Sequence, residues 1–142
     1  MMTIQQFIDE ALKEDIGDGD HTTLACVNEN KTGSAEIISR ENGIIAGIVL
    51  ADQIFTRFDP TLIVNTYVND GEKVSPGKVC ITISGKIRSI LTSERLVLNC
   101  MQRMSGIATQ TREMCDLISG LKTRILDTRK TTPLFRMMEK WA

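Results

Sequence analysis

Histidine is nearly missing from this 142-residue chain, which has only His21. The four cysteines, Cys26, Cys80, Cys100 and Cys115, make no C-x-x-C pair. These two shortages argue against a zinc site and against a disulfide framework. Scattered thiols with mostly apolar neighbours suit a reducing cytoplasm, which is the expected location. No apolar run approaches the roughly 20 residues that cross a bilayer. The N-terminal MMTIQQFIDEALKEDIG lacks the basic and apolar regions of a signal peptide. Neither sign of charge is in excess: 17 basic against 18 acidic residues leave a net charge of -1. No overall field therefore points to nucleic acid or a membrane, and any anion site must come from local placement of Arg and Lys.

What is present reads as a mixed α and β chain. Residues 3–14 have helical periodicity, with Ile4, Phe7, Ile8, Ala11 and Leu12 on one face and Thr3 as N-cap. The acidic stretch EDIGDGDHTT reads as a solvated loop. Asp15, Asp18 and Asp20 miss the register of a calcium loop. Residues 34–40 and 43–49 read as two strands joined at Glu41-Asn42, and 49–58 as a short helix ended by Asp59-Pro60. Strands are also expected at 61–68, 79–84 and 86–91, with turn residues Asn69, Asp70, Gly71, Pro76 and Gly77 marking a hairpin between the first two. Residues 93–118 read as one long helix capped by Ser93, with a Met-rich core stripe and Gly106 packed close to a neighbour. A short strand at 123–128 and a helical stretch from Leu134 complete the chain.

Three features carry chemistry. Arg129 and Lys130 project from the end of the expected 123–128 strand, the edge at which α/β barrels hold their active sites. Thr131 or Thr132 then caps a helix whose free N–H groups favour an anion, with Pro133 at its first position. Arg offers a planar fork for carboxylate and Lys a compact charge for phosphate. Arg95, placed in the first turn of the long helix, opposes the macrodipole, a local misfit that points to a role in binding. The weaker readings are solvated basic residues for Arg129 and Lys130, an ion pair with Glu94 for Arg95, and a surface role for Arg103. His21 has little claim to catalysis. The turn D-G-x-x-V-x-x-G at 70–77 is similar to lipoyl and biotinyl carrier domains, but the exposed lysine that such carriers need is not at the right place.

The motifs together resemble one family. E-R-L-V-L-N-C-M-Q-R-M-S-G-I-A-T at 94–109, I-L-D-T-R-K-T-T-P at 125–133 and E-D-I-G-D-G-D-H-T-T at 14–23 follow the pattern of quinolinate phosphoribosyltransferases, as do the run from Gly85 to Arg95 and the Asp70-Gly71 turn. The resemblance covers essentially the whole chain. It implies an N-terminal α/β open-faced sandwich, residues 1–115, followed by the first strand–helix unit of an incomplete α/β barrel, residues 116–142. It implies transfer of phosphoribosyl from phosphoribosyl pyrophosphate to quinolinate with Mg²⁺, giving nicotinate mononucleotide, pyrophosphate and carbon dioxide, in a homodimer or dimer-based assembly with shared sites. By position Thr128, Arg129 and Lys130 are substrate contacts, and Arg95 reaches the neighbouring subunit's site.

The chain departs from the family pattern where T-T-P-G-L-R is replaced by Thr131-Thr132-Pro133-Leu134-Phe135-Arg136. It also stops at Ala142, well short of the roughly 250 residues of a full barrel. The chain by itself is therefore expected to be inactive, and an open sheet edge is expected to be sticky. The alternatives are a non-catalytic dimerisation or carrier-like module, and the phosphoribosyltransferase-like protein of molybdate operons, which usually departs from T-R-K-T-T-P.

Overall fold

The computed structural model describes residues 2–142. Helix α1 spans Ile4–Ile16 and opens with a capping box in which the Thr3 hydroxyl accepts the Gln6 amide and the Gln6 side chain accepts the Thr3 amide. Its apolar face buries Phe7, Ile8 and Leu12. The acidic stretch, read as loop, contains a short helix α2, His21–Cys26. Asp20 caps it by accepting the Thr23 amide at 3.1 Å. Its far end is held by Arg88, which donates to the carbonyls of Val27 and Leu24.

Strand β1, Thr32–Ile38, does not form a hairpin with β2, Gly43–Ile44. Instead β1 pairs antiparallel with β5, Val79–Lys86, and β3, Ile63–Thr66, pairs antiparallel with β5 from the other side. The two-residue β2 pairs with β4, Lys73–Val74. The segment after β2 leaves the sheet because its amides find other partners. Thr109 Oγ1 accepts the Ile44 amide at 2.9 Å, Ser105 Oγ accepts the Ala46 amide at 3.0 Å, and the Glu72 carbonyl accepts the Ile45 amide. Helix α3, Ile48–Phe58, follows at once and buries Leu50, Ala51, Ile54 and Phe55. Its first amide is capped from a distance, since Ile48 donates to Asp70 Oδ1 at 2.7 Å. The Asp70-Gly71 turn that resembled a carrier hairpin thus serves as a helix cap.

The largest difference from the sequence reading lies at 86–91. These residues are helical: α4 runs from Ile87 to Leu117 and starts where β5 ends. Gly85 makes the direct passage feasible. It has φ +147°, and a Cβ there would lie 2.7 Å from Leu62 Cδ2. Ser93 is therefore inside the helix, fully buried, and donates to the Ser89 carbonyl at 2.7 Å rather than capping. Helix α4 buries Ile90, Leu96, Val97, Cys100, Met101, Met104 and Ala108 against α3 and the sheet. Burial pushes the Cys100 thiol up to about 11, so it behaves as an apolar side chain. Beyond Ala108 the expected stripe is exposed, Met114 and Cys115 included. Residues 123–128 pair with none of the described strands and are exposed, because a strand needs a neighbour to satisfy its backbone. The last helix, α5, is Arg136–Trp141. Among the described residues no helix is long and apolar enough to cross a membrane.

Gly106 does not pack close to a neighbour: a Cβ there would meet nothing within 4 Å. Gly106→Ala is expected to raise stability by about 1 kcal/mol, the usual helix-interior difference. Gly85→Ala is expected to lower it by roughly 2 kcal/mol, since both backbone and space require glycine. Urea unfolding of the two variants checks both signs, and equal effects would contradict this view of the β5–α4 junction.

Candidate functional site

Arg95 lies well inside α4 rather than in its first turn, so the macrodipole does not explain it. Its partner is Asp15, not Glu94. Arg95 Nε donates to Asp15 Oδ1 at 2.6 Å, and Nη2 donates to the Asp15 carbonyl at 2.8 Å. The Arg95 side chain is 63% exposed and that of Asp15 only 17%. The remaining Asp15 oxygen, Oδ2, is enclosed and takes no hydrogen bond. Asp15 is in place because α1 ends at Ile16 and packs on α4. Asp20 braces the same region by accepting the Thr92 hydroxyl at 3.1 Å. The Thr23 side chain and amide, with Thr92 and the Arg95 charge adding to them, hold the Asp20 carboxyl below its usual range.

Arg95 borders a groove of about 940 Å³ between α1, α4 and residues 132–135. Phe7, Asn99, Arg103 and Leu134 also line it. Thr128, Arg129 and Lys130 are not part of this lining. They sit on an exposed segment, and the structure does not bring them together with Arg95 in one groove. The Thr128 hydroxyl accepts the Lys130 amide at 3.1 Å, a local turn that fixes the backbone between them. Arg136 ties the same segment to α5 by donating to Thr131 Oγ1 and the Arg129 carbonyl. The side chains of Arg129 and Lys130 make no hydrogen bond or ion pair among the described residues. Two adjacent cations are thus unpaired among the described residues. No helix N-terminus assists them: α5 begins at Arg136, past Thr131, Thr132 and Pro133, and has only six residues.

The sequence reading gave Arg103 a surface role, but it anchors this loop. Its Nη2 donates to Glu139 Oε1 at 2.8 Å and to Thr132 Oγ1 at 3.3 Å. Glu139 in turn accepts the Thr132 hydroxyl and amide. The Glu139 carboxyl is held below its usual value, first by the Thr132 hydroxyl and then by the Arg103 guanidinium. Phe135 packs edge-on against Phe7, ring centres 5.7 Å apart. Between these anchors Leu134 has φ +64°, the one described non-glycine residue in the left-handed region, and is 79% exposed. Glycine would enter this left-handed turn freely, so Leu134 strains it.

Among the described residues no three His, Cys, Asp or Glu side chains stand close enough to hold a metal ion. Asp18 is exposed beside His21 at 3.4 Å, while Asp15 and Asp20 are committed to α4 and α2.

Comparison with known proteins agrees with the fold. The family model for the quinolinate phosphoribosyl transferase N-terminal domain matches residues 20–105, and that for the C-terminal domain matches 107–142. A mitochondrial quinolinate phosphoribosyltransferase [decarboxylating] of Nicotiana tabacum is 48% identical over 133 residues, 93% of this chain and 37% of the relative. A probable nicotinate-nucleotide pyrophosphorylase [carboxylating] of Synechocystis is 40% identical over 139 residues, 98% of this chain and 47% of the relative. The crystal structure of NadC from Streptococcus pyogenes superposes with a TM-score of 0.92 at 32% identity, covering 97% of this chain and 50% of that one. The chain thus spans about half or less of the length of these relatives.

Two outcomes follow from the loop. Leu134→Gly is expected to stabilise the fold by roughly 0.5–1 kcal/mol, strain relief exceeding the entropy cost of glycine. A lower thermal midpoint for this variant would contradict the strain. Because the folded-state value of Glu139 is lowered, its contribution is complete above the unfolded value and is lost as pH falls through the folded one. The Thr132 amide resonance should therefore move on acidification below the usual Glu range, and should not move there in Glu139→Gln.

Proposed function

As the chain belongs to the quinolinate phosphoribosyltransferase family, we propose that it supplies the sandwich, residues 1–115, and the start of the barrel, residues 116–142, of an enzyme that joins phosphoribosyl to quinolinate. In that reaction the quinolinate ring nitrogen bonds to the anomeric carbon of phosphoribosyl pyrophosphate as the bond to pyrophosphate breaks. The carboxylate next to the now cationic nitrogen leaves as carbon dioxide, and the electron pair left on the ring carbon takes a proton. The products are nicotinate mononucleotide, pyrophosphate and carbon dioxide, a step of NAD synthesis.

The observation that carries this reading is the unpaired Arg129 and Lys130 side by side on a backbone pinned by Thr128 and Arg136. Quinolinate bears two adjacent carboxylates, and its co-substrate bears phosphate. Arg129 offers the planar fork for carboxylate and Lys130 the compact charge for phosphate. Thr128 positions the pair through the Lys130 amide. Arg95 borders a groove that Thr128, Arg129 and Lys130 do not line, which suits a contribution to the site of a second copy in a homodimer. Mg²⁺ would enter with the pyrophosphate of the co-substrate, as membership of the family implies. Binding and orientation, not proton transfer by histidine, carry the catalysis. Four free thiols suit a reducing compartment such as the cytoplasm.

Quinolinate-dependent release of pyrophosphate by the complete protein tests the reading. Arg129→Ala is expected to raise the KM for quinolinate on the order of 100-fold, with Arg129→Lys restoring little of it because the fork is lost. Pyrophosphate release that ignores quinolinate, or an Arg129→Ala variant with unchanged KM, would sink the proposal.

A further inference from the structure

The guanidinium of Arg95 has five N–H groups in a rigid plane. Asp15 occupies one edge of it, with Nε on Oδ1 and Nη2 on the main-chain carbonyl. The adjoining end edge, Nη1 with the second hydrogen of Nη2, makes no hydrogen bond among the described residues. That free edge is itself a two-pronged donor that fits a carboxylate or phosphate. From this geometry we infer that Asp15 is a positioning residue. It grips Arg95 by its inner edge so that the outer edge is presented, already oriented, to an anionic group of the substrate. The inference rests on the reading of Arg95 as a substrate contact.

Three observations separate this grip from an ordinary surface ion pair. Asp15 is nearly covered while Arg95 is open, so the acid is the fixed member and the cation the presented one. The two hydrogen bonds go to different parts of Asp15, one to the side chain and one to the backbone, which fixes the plane of the guanidinium and not only its distance. Asp15 Oδ2 is enclosed without a donor, so the carboxylate's hold is exerted through Oδ1 alone. Holding a long side chain in one orientation before binding reduces the entropy lost when the anion arrives. A free Arg95 would have to be ordered by the substrate instead.

Two measurements test the inference separately from the function. In the wild-type chain the Arg95 Nε–H resonance is expected to exchange slowly with solvent, and in Asp15→Asn to exchange fast. Equal exchange in both would overturn the grip whatever the protein's activity. In the complete protein, Asp15→Asn is expected to raise the KM for quinolinate or phosphoribosyl pyrophosphate about tenfold with kcat little changed. Asp15→Asn on top of Arg95→Ala is expected to add nothing further. Additive effects would show that Asp15 acts apart from Arg95. A protein that keeps the slow Nε–H but turns over no quinolinate would refute the proposed function while leaving the grip intact. Asp15→Glu, which keeps the charge but moves the carboxylate, should restore slow exchange only in part. Full loss of folding in Asp15→Asn, judged by the dispersion of the remaining amide signals, would assign Asp15 to stability and reject the positioning role.

Discussion

Strand β5 passes into helix α4 at Lys86–Ile87 without an intervening loop, and this junction fixes where the arginines of α4 can stand. Gly85 takes a backbone conformation closed to other residues, and the Leu62 side chain fills the space a Cβ would need. The helix is then held along one face by Leu50, Ile54 and Phe55 of α3 and by Ile81 and Ile83 of the sheet. With strand and helix in one rigid piece, Arg88, Arg95 and Arg103 come at set heights along a single rod. Arg88 reaches the end of α2, Arg95 the end of α1, and Arg103 the loop before α5. Each arginine thereby ties a separate segment to the core.

The same rod supplies hydroxyls. Ser105 and Thr109 accept the amides of Ala46 and Ile44, doing for that segment what a neighbouring strand would do. Thr92 donates to Asp20, and Ser89 donates to Asp59 at 2.6 Å. Much of the S-G-I-A-T and E-D-I-G-D-G-D patterning is thus backbone accounting: buried polar groups must be paired, and α4 is where their partners lie. Arg129, Lys130 and the outer edge of Arg95 stand outside this accounting, with donors that take no partner among the described residues.

Local signals in the sequence were strong where a single element explains itself. Thr3 marks the start of α1, and Asp59-Pro60 marks the end of α3. They were weak where a partner lies far along the chain. Nothing near Ile48 announces that Asp70 caps it, and nothing near Arg95 points to Asp15, eighty positions away. The K-I-R-S-I-L stretch reads as a strand, yet Ile87, Ile90 and Leu91 have helical spacing, and Gly85 lets β5 pass straight into α4. The acidic loop concealed α2 because its cap, Asp20, sits among other acids. Leu134 was legible as a departure from a family pattern. Its left-handed backbone shows what the departure does physically. Family membership itself was legible in the motifs, since long runs of matching residues specify both the caps and the exposed cations.

The central claim is that Arg95 meets an anion with its outer edge while Asp15 keeps the inner one. The most direct test is a crystal structure of the complete protein with quinolinate bound. The account predicts Arg95 Nε still on Asp15, with Nη1 and Nη2 about 3 Å from a carboxylate or phosphate oxygen in a site shared with a second subunit. An Arg95 that lets go of Asp15 to reach the ligand, or a ligand bound with no contact to Arg95, would contradict it.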